Sequence, residues 1–395
     1  MKTQMEDGTL KIYPVGRIDS VNAADLEKEL FAAVDEASYT DILLDAGGLE
    51  YISSAGLRVL LKLRKQVGKS INIINVSPEV YDIFEVTGFS ELFDVKKALR
   101  QLSIDGCEKI GNGATASVYR INPEIVVKVF KPNVDIGMVE RENAKSKAAF
   151  LAGIPTAISF DTVKVGDCYG TVFELLNAVD LLKILETDHR NHLENHIEDF
   201  AKEIKSLHQI EVDPEQFYDV RKTSLAMMPK LVGLVGTKEE IDILTQMYEI
   251  MPERHTFLHG DCHPGNIMIQ DGNYIFIDLS SGGMGHPIID LTSMCLTYKM
   301  PAMGDDYETR HLKYPHLKNF NRDEALLIWN TFLKTYLDTD DEMLIKKAEW
   351  QTMAYSALRI LFAAVSLPGL FPKERLQASK HLALKYCEHL EPICF

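Results

Sequence analysis

HGDCHPGNIMIQDGNYIFIDLS, residues 259–280, is the stretch whose reading decides the fold. It places Asp261, Asn266 and Asp278 around a short strand pair. Together they offer two oxygen-bearing ligands and one candidate base. Magnesium prefers oxygen ligands, one or two of them carboxylates. Phosphoryl transfer needs little covalent chemistry from the protein, but it does need that metal and a carboxylate to orient the attacking hydroxyl.

In kinases these tasks fall to the Asp and Asn of an H-x-D-x-x-x-x-N loop and to an Asp after the next strand. His259, Asp261 and Asn266 have that spacing, and Asp278 closes YIFID. HGDCHPGN followed by IDLS resembles the aminoglycoside phosphotransferase and choline kinase-like branch of the kinase fold, where H-G-D stands in place of H-R-D. The resemblance implies that Asp261 is the catalytic base, that Asn266 and Asp278 hold Mg2+, and that ATP is the donor. Two departures from protein kinases matter. Gly260 replaces the Arg that would clamp a phosphorylated activation loop, and the Asp278 motif reads DLS, with no A-P-E downstream. Control by activation-loop phosphorylation is therefore not expected. Asp290, in GGMGHPIIDLTSM, resembles a residue that stabilises the catalytic region of the aminoglycoside-type enzymes, and a helix-start carboxylate explains it as well. His259, Cys262 and His263 cluster, but a zinc site needs further ligands at suitable spacing, and none is evident.

The segment upstream supports this reading. IGNGATASVYRI, 110–121, is a glycine-bearing turn between strands, where Gly111 and Gly113 would let backbone amides approach phosphates. IVVKVFK follows, with Lys128 in an otherwise apolar strand, like the Lys of V-A-I-K that pairs the α- and β-phosphates. The next helix offers Glu140 or Glu142 as its ion-pair partner, and the resemblance favours Glu142. YGTVFELLNAVDL, 169–181, looks like the last strand of the small lobe running into the hinge. Phe173 would stand behind the nucleotide, and backbone groups of Glu174 and Leu176 would face the adenine.

The first hundred residues alternate strand and helix, which argues for a mixed sheet covered by helices. TLKIYPVGRID, 9–19, reads as one half-buried strand with Pro14 at an edge. NAADLEKELFAAVDEA reads as a helix capped by Asn22, with Asp25 three residues on. DILLDAGG and INIINV read as strands, and a further helix starts at Ser53 and Ser54. GRIDSVNAADLE, LEYISSAGLRVLL and VSPEVYDIFEVTGFSELFDV together resemble the STAS domain of bacterial anti-sigma factor antagonists, across nearly all of residues 5–98. In those antagonists a serine at a helix start is phosphorylated and a partner is released, and Ser54 occupies the matching position. Ser53 stands where many of them carry Asp.

These readings predict an α/β STAS domain over 1–100, a β-rich nucleotide-binding small lobe over 101–178 and a mostly helical catalytic lobe over 179–395. The last two form an α+β, two-lobed, protein kinase-like unit. A chain of 395 residues exceeds one ordinary core, in keeping with this division. Its formal charge of -16 repels polyanions and argues against nucleic acid as a partner. No stretch offers the ~18 apolar residues of a membrane span, and six scattered cysteines suit reduced thiols in a cytoplasm. The expected activity is ATP-dependent transfer to a small-molecule hydroxyl, with a regulatory protein such as an anti-sigma factor as the partner of the STAS domain. The alternative is a partner-switching regulator whose kinase-like domain binds nucleotide or phosphorylates a STAS serine. The acceptor pocket is expected from the helices around HRNHLENHIEDF, 189–200, and YETRHLKYPHLKNF, 307–320.

Overall fold

The structure, a computed structural model, describes residues 1–113, 115–305, 307 and 317–395, apart from the side chains of 189–191. Most of the segment 307–320, and the first three side chains of 189–200, lie outside the described residues. Two compact units emerge. Met1–Ser103 forms the first, and Ile104–Phe395, without the short stretch Val163–Gly166, forms the second.

In the first unit Leu10 and Ile12 alternate inward from the strand Thr9–Tyr13. The sheet runs in the order Lys2–Glu6, Thr9–Tyr13, Asp41–Asp45, Asn72–Val76, Asp94–Lys97. Its first pair is antiparallel and the others are parallel, so the sheet is mixed. Helices Ala23–Glu36, Ser54–Val67 and Pro78–Val86 supply Leu30, Leu57, Leu60, Leu63 and Phe84 to the same core. Each such side chain contributes ~1.5–3 kcal/mol on burial, against about 1 kcal/mol for a helix cap. Packing therefore holds the helices, and caps only set where they start.

Three local expectations are corrected. TLKIYPVGRID is two strands, Thr9–Tyr13 and Val15–Ile18, divided at Pro14, which cannot donate to a ladder. Val15–Ile18 instead pairs in parallel with Gly48–Ile52, and the edges of the five-stranded sheet are Lys2–Glu6 and Asp94–Lys97. Asn22 precedes its helix without capping it. Its side chain accepts from the amide of Asp19 and donates to the carbonyl of Arg17, because the turn before the helix claims it first. Ser53, by contrast, caps the helix Ser54–Val67 by accepting from the amides of Ala55 and Gly56.

The second unit opens with antiparallel ladders that set Glu108–Asn112 beside Ala116–Arg120, then Ile125–Phe130, then Cys168–Glu174. Helix Ile136–Leu151 follows the third of these strands. The remainder is mostly helical. The stripe Ile197, Phe200, Ala201, Ile204 and Leu207 of the long helix Leu181–Leu207 is buried in one core with Trp329 and Phe332 of the helix Arg322–Leu337. Helix Glu342–Ser366 carries Tyr355, Leu358 and Leu361 into a neighbouring cluster. A hairpin, Ile267–Gln270 with Asn273–Phe276, leads directly into Asp278. No helix among the described residues is long and apolar enough to cross a membrane.

Gly56 tests the packing of the first unit. A Cβ at this position would lie 2.5 Å from Cγ2 of Ile18 and 2.8 Å from Cγ1 of Ile52, both β-branched and stiff. Gly56→Ala is expected to destabilise the unit by ~1–3 kcal/mol. The check is faster amide hydrogen exchange across Ser54–Val67; unchanged protection would contradict the packing described.

Candidate active site

Lys128 lies in the strand Ile125–Phe130, directly between Val118 and Thr171 of the neighbouring strands. Its ammonium sits 2.7 Å from Oε1 of Glu142 and 2.9 Å from Oδ1 of Asp278. Glu142 shares the buried face of helix Ile136–Leu151 with Val139, Ser146 and Ala149, which is why Glu142 rather than Glu140 meets the lysine. Burial would pull the Lys128 pKa down, but the charges of Asp278 and Glu142 outweigh it and hold it above the ordinary lysine value. The same pairing overcomes burial at Asp278 and holds its carboxyl below the usual range. Asp278 itself has φ +58 and ψ +58, a left-handed conformation that few residues besides glycine adopt.

The segment His259–Asn266 is a loop between the strand Phe257–Leu258 and the hairpin that ends before Asp278. His259 is fully buried. Its Nε2 faces the carbonyl of Ile277 at 3.1 Å, so this nitrogen carries the proton, and Nδ1 accepts from the amide of Asp261. The imidazole thereby ties the loop to the residue preceding Asp278. Asn266 donates through Nδ2 to the carbonyl of Asp261 at 2.8 Å, with a longer contact of 3.4 Å to its carboxylate. His263 accepts from the amide of Gly265 and lies 3.7 Å from the Asp261 carboxylate. Burial opposes ionisation of Asp261, but His263, Arg359 and His259 hold its carboxyl well below the usual range.

Asp290 settles the choice left open by its sequence. It stands in the first turn of the helix Ile288–Met294, is buried, and accepts from the amides of His259 and Gly260, both at 2.7 Å. His208 lies 3.0 Å away, backed by the hydroxyl of Tyr336. Arg359, from helix Glu342–Ser366, donates to the carbonyl of Gly260 and to the hydroxyls of Thr292 and Ser293. It also lies 3.6 Å from Oδ1 of Asp261. Gly260 itself has φ +80, and a Cβ would collide with the carbonyl of Ser281. An L side chain, such as the arginine of the protein-kinase motif, does not fit there. Neither Arg359 nor His208 was legible, since one reaches the loop and the other reaches Asp290 from distant parts of the chain with no motif around them.

The remaining predicted residues fall as follows. Gly111 lies within the strand Glu108–Asn112, opposite Val118, and the amide of Gly113 donates to the carbonyl of Ala116 at 2.8 Å. Neither takes positive φ, and residue 114 lies outside the described residues. The Glu174 amide donates to the carbonyl of Ile158, and the Glu174 carboxylate accepts from the Ile158 amide at 2.7 Å, so the end of the strand Cys168–Glu174 is tied to the chain at Ile158. Leu176 lines an open cavity of about 700 Å³ with Leu175, Asn177 and Arg120. Ser54 is exposed at the first position of its helix. His259 and His263 both use ring nitrogens within the loop, and burial pushes the Cys262 thiol far up. They form no ligand set.

Comparison with known proteins gives two family matches: the phosphotransferase enzyme family over residues 106–322 and the STAS domain over residues 1–102. BtrV of Bordetella bronchiseptica, named as a candidate anti-sigma factor antagonist, is 41% identical over 100 residues, which cover 24% of this chain and 85% of BtrV. Among solved structures, a choline/ethanolamine kinase family protein from Mesorhizobium loti is 12% identical, with a TM-score of 0.46, covering 73% of this chain and 89% of that one. The ADP-bound aminoglycoside phosphotransferase APH(2'')-Ib is 16% identical, with a TM-score of 0.44 and coverage of 71% and 92%. The choline kinase LicA from Streptococcus pneumoniae is 15% identical, with a TM-score of 0.40 and coverage of 72% and 96%.

Asp290 gives this geometry an acid dependence. Asp261, Asp278 and Asp290 are all held below the ordinary carboxylate value of 3.8 in the folded chain. As pH falls the unfolded chain protonates first. Their stabilisation is therefore complete above about pH 4 and is lost as the pH drops from there toward the folded values. Asp290→Ala removes two charge-assisted hydrogen bonds worth ~1.5–3 kcal/mol each, so neutral stability should fall by about 3 kcal/mol or more and the acid slope should flatten. Emission of Trp329 and Trp350 under urea, measured across pH, checks both; an unchanged midpoint would contradict the role.

Proposed function

We propose, for a chain that belongs to the phosphotransferase enzyme family and carries an N-terminal STAS domain, transfer of the terminal phosphoryl group of ATP to a small-molecule hydroxyl. The observation that carries this reading is Lys128 held between Glu142 and Asp278, with Asp261 and Asn266 bonded together on the loop that His259 ties to Asp278.

In this reading Lys128 binds the α- and β-phosphates and Glu142 fixes its direction. Gly111 and Gly113 give the turn over the phosphates its closeness, and backbone groups of Glu174 and Leu176 meet the adenine. The donor set suits magnesium. Asp278 offers a carboxylate that Lys128 and the Ser280 side chain orient, and Asn266, with its nitrogen donating to Asp261, keeps its amide oxygen. Two hard oxygen donors, completed by phosphate and water, are what this ion accepts. Magnesium, when bound, neutralises phosphate charge during transfer.

Asp261 would accept the hydrogen bond of the attacking hydroxyl and receive its proton. Its depressed pKa makes it a weak base at neutral pH, so orientation is its larger contribution, with the proton moving late. Asp290 and Arg359 hold the amide and carbonyl of Gly260, one residue away, and so fix where Asp261 stands. The small lobe over 101–178 would thus serve the nucleotide, and the lobe over 179–395 the acceptor.

For the STAS domain we propose docking of an anti-sigma factor or another regulatory protein, with Ser54 as a phosphoacceptor. The likeness to BtrV and the exposure of Ser54 at a helix start support this reading. A phosphate there would stand at the positive end of a helix whose Ala55 and Gly56 amides Ser53 already holds, while adding about two negative charges to a docking surface. A cytoplasmic setting would keep the six free thiols reduced.

A panel of hydroxylated metabolites, screened for ATP consumption, identifies the acceptor. Against it, Asp261→Asn should lower turnover by ~10²–10⁴ while ATP affinity and the circular dichroism spectrum stay unchanged. Chelation of magnesium should stop turnover altogether. Wild-type rates in Asp261→Asn would refute the assigned role.

A further inference from the structure

We infer that Lys145 is a positioning residue for magnesium-dependent nucleotide binding, gripping the backbone just after Asp278. The inference rests on the proposed reading of Asp278 as a metal ligand and extends it to residues that no motif marks.

The left-handed backbone of Asp278 is one that Asp tolerates better than most residues, as Asp7, Asp271 and Asp338 also show, but it leaves the direction of the carboxylate to be set by what holds the neighbouring chain. Lys128 and the Ser280 side chain hold the carboxylate, and other elements also hold the following turn, Leu279–Ser281, which the Gly282 amide closes on the Leu279 carbonyl. Two donors do so through main-chain oxygens. Nζ of Lys145 donates to the carbonyl of Ser280 at 2.7 Å, and the hydroxyl of Tyr218 donates to the carbonyl of Ser281 at 2.8 Å. The ammonium of Lys145 also lies 4.9 Å from the centre of the Tyr218 ring, so a cation–π contact joins the two donors. On the other side Gly260 lets the Ser281 carbonyl approach where any Cβ would collide with it.

Lys145 stands three residues after Glu142 on the helix Ile136–Leu151. One helix therefore reaches both ends of the device, the side chain of Asp278 through Glu142 and Lys128, and the backbone after it through Lys145. A lysine on a partly exposed helix face ordinarily keeps its ammonium in water. Here it is directed at a peptide carbonyl, a contact that depends on the path of the chain and not on which side chain occupies position 280. The sequence lacks the arginine that would receive a phosphorylated loop. The grip of Lys145 is present in the unmodified chain. Without Lys145 the turn can relax and the Asp278 carboxylate loses its direction, which weakens its hold on a metal and leaves contacts to the nucleotide alone intact.

Calorimetric titration of the full chain with ATP, with and without Mg2+, separates these effects. The wild type is expected to bind ATP more tightly with magnesium, and Lys145→Met to lose about tenfold or more of that gain, as loss of an outer-shell partner typically does, with metal-free affinity unchanged. Tyr218→Phe should move the gain in the same direction by a smaller factor, and it decides the matter if Lys145→Met does not fold. An undiminished magnesium gain in the variants, or an equal loss with and without the metal, overturns the inference. A wild type with no magnesium gain at all removes the metal-site reading itself, and the inference with it.

Discussion

An ammonium shared by two carboxylates is the constraint around which the second unit is arranged. Lys128 sits in a strand between buried Val127 and Val129, where an unpaired charge would carry a desolvation penalty of several kcal/mol. Glu142 from a helix and Asp278 from the far side of the chain together satisfy it. The group carries a net charge of about -1 by simple addition of its ionised forms, so it is left short of positive charge at the point where the proposed cation would enter. Removing Glu142 would leave the lysine without its buried partner, while the Asp278 side lies nearer to solvent. Sequence positions 128, 142 and 278 are thereby made interdependent.

The loop bearing Asp261 is shaped by a different arrangement, in which opposite charges hold the two peptide groups of one glycine. Asp290 takes the amide of Gly260 and Arg359 takes its carbonyl. The glycine is needed because its φ of +80 and the nearby carbonyl of Ser281 leave no space for a side chain. The loop's own side chains add to the shaping: Asn266 holds the Asp261 carbonyl, His263 the Gly265 amide, and the His259 ring bridges to Ile277. Burial holds the His259 imidazole below its ordinary pKa, and a neutral ring is the form that can donate at one nitrogen and accept at the other.

Much of this was legible in the residues themselves. Asp261, Asn266 and Asp278 announce themselves by spacing, and Lys128 by being a charge within an apolar strand. The helix rule then singles out Glu142 once its buried face is known. What could not be read is what arrives from far along the chain. Arg359, His208, Lys145 and Tyr218 are ordinary residues in ordinary helical or loop contexts, and only the folded path shows which backbone oxygen or carboxylate each one meets. In the STAS domain the alternation of Leu10 and Ile12 gave the strand, while the break at Pro14 and the diverted side chain of Asn22 depended on competing partners nearby. Local pattern reports periodicity, and competition between partners is settled only by tertiary structure.

One chain joins a phosphotransferase-family unit to a STAS domain, and in the first of these we propose that Lys128 and Glu142 act as one device on the triphosphate of ATP. A double-mutant cycle on ATP affinity in the presence of magnesium, by calorimetry with Lys128→Met, Glu142→Gln and the pair, tests this most directly. Residues acting together should be strongly non-additive, with a coupling of about 1 kcal/mol or more and the double variant hardly weaker than Lys128→Met alone. Additive losses, or single variants that bind as the wild type does, would contradict it.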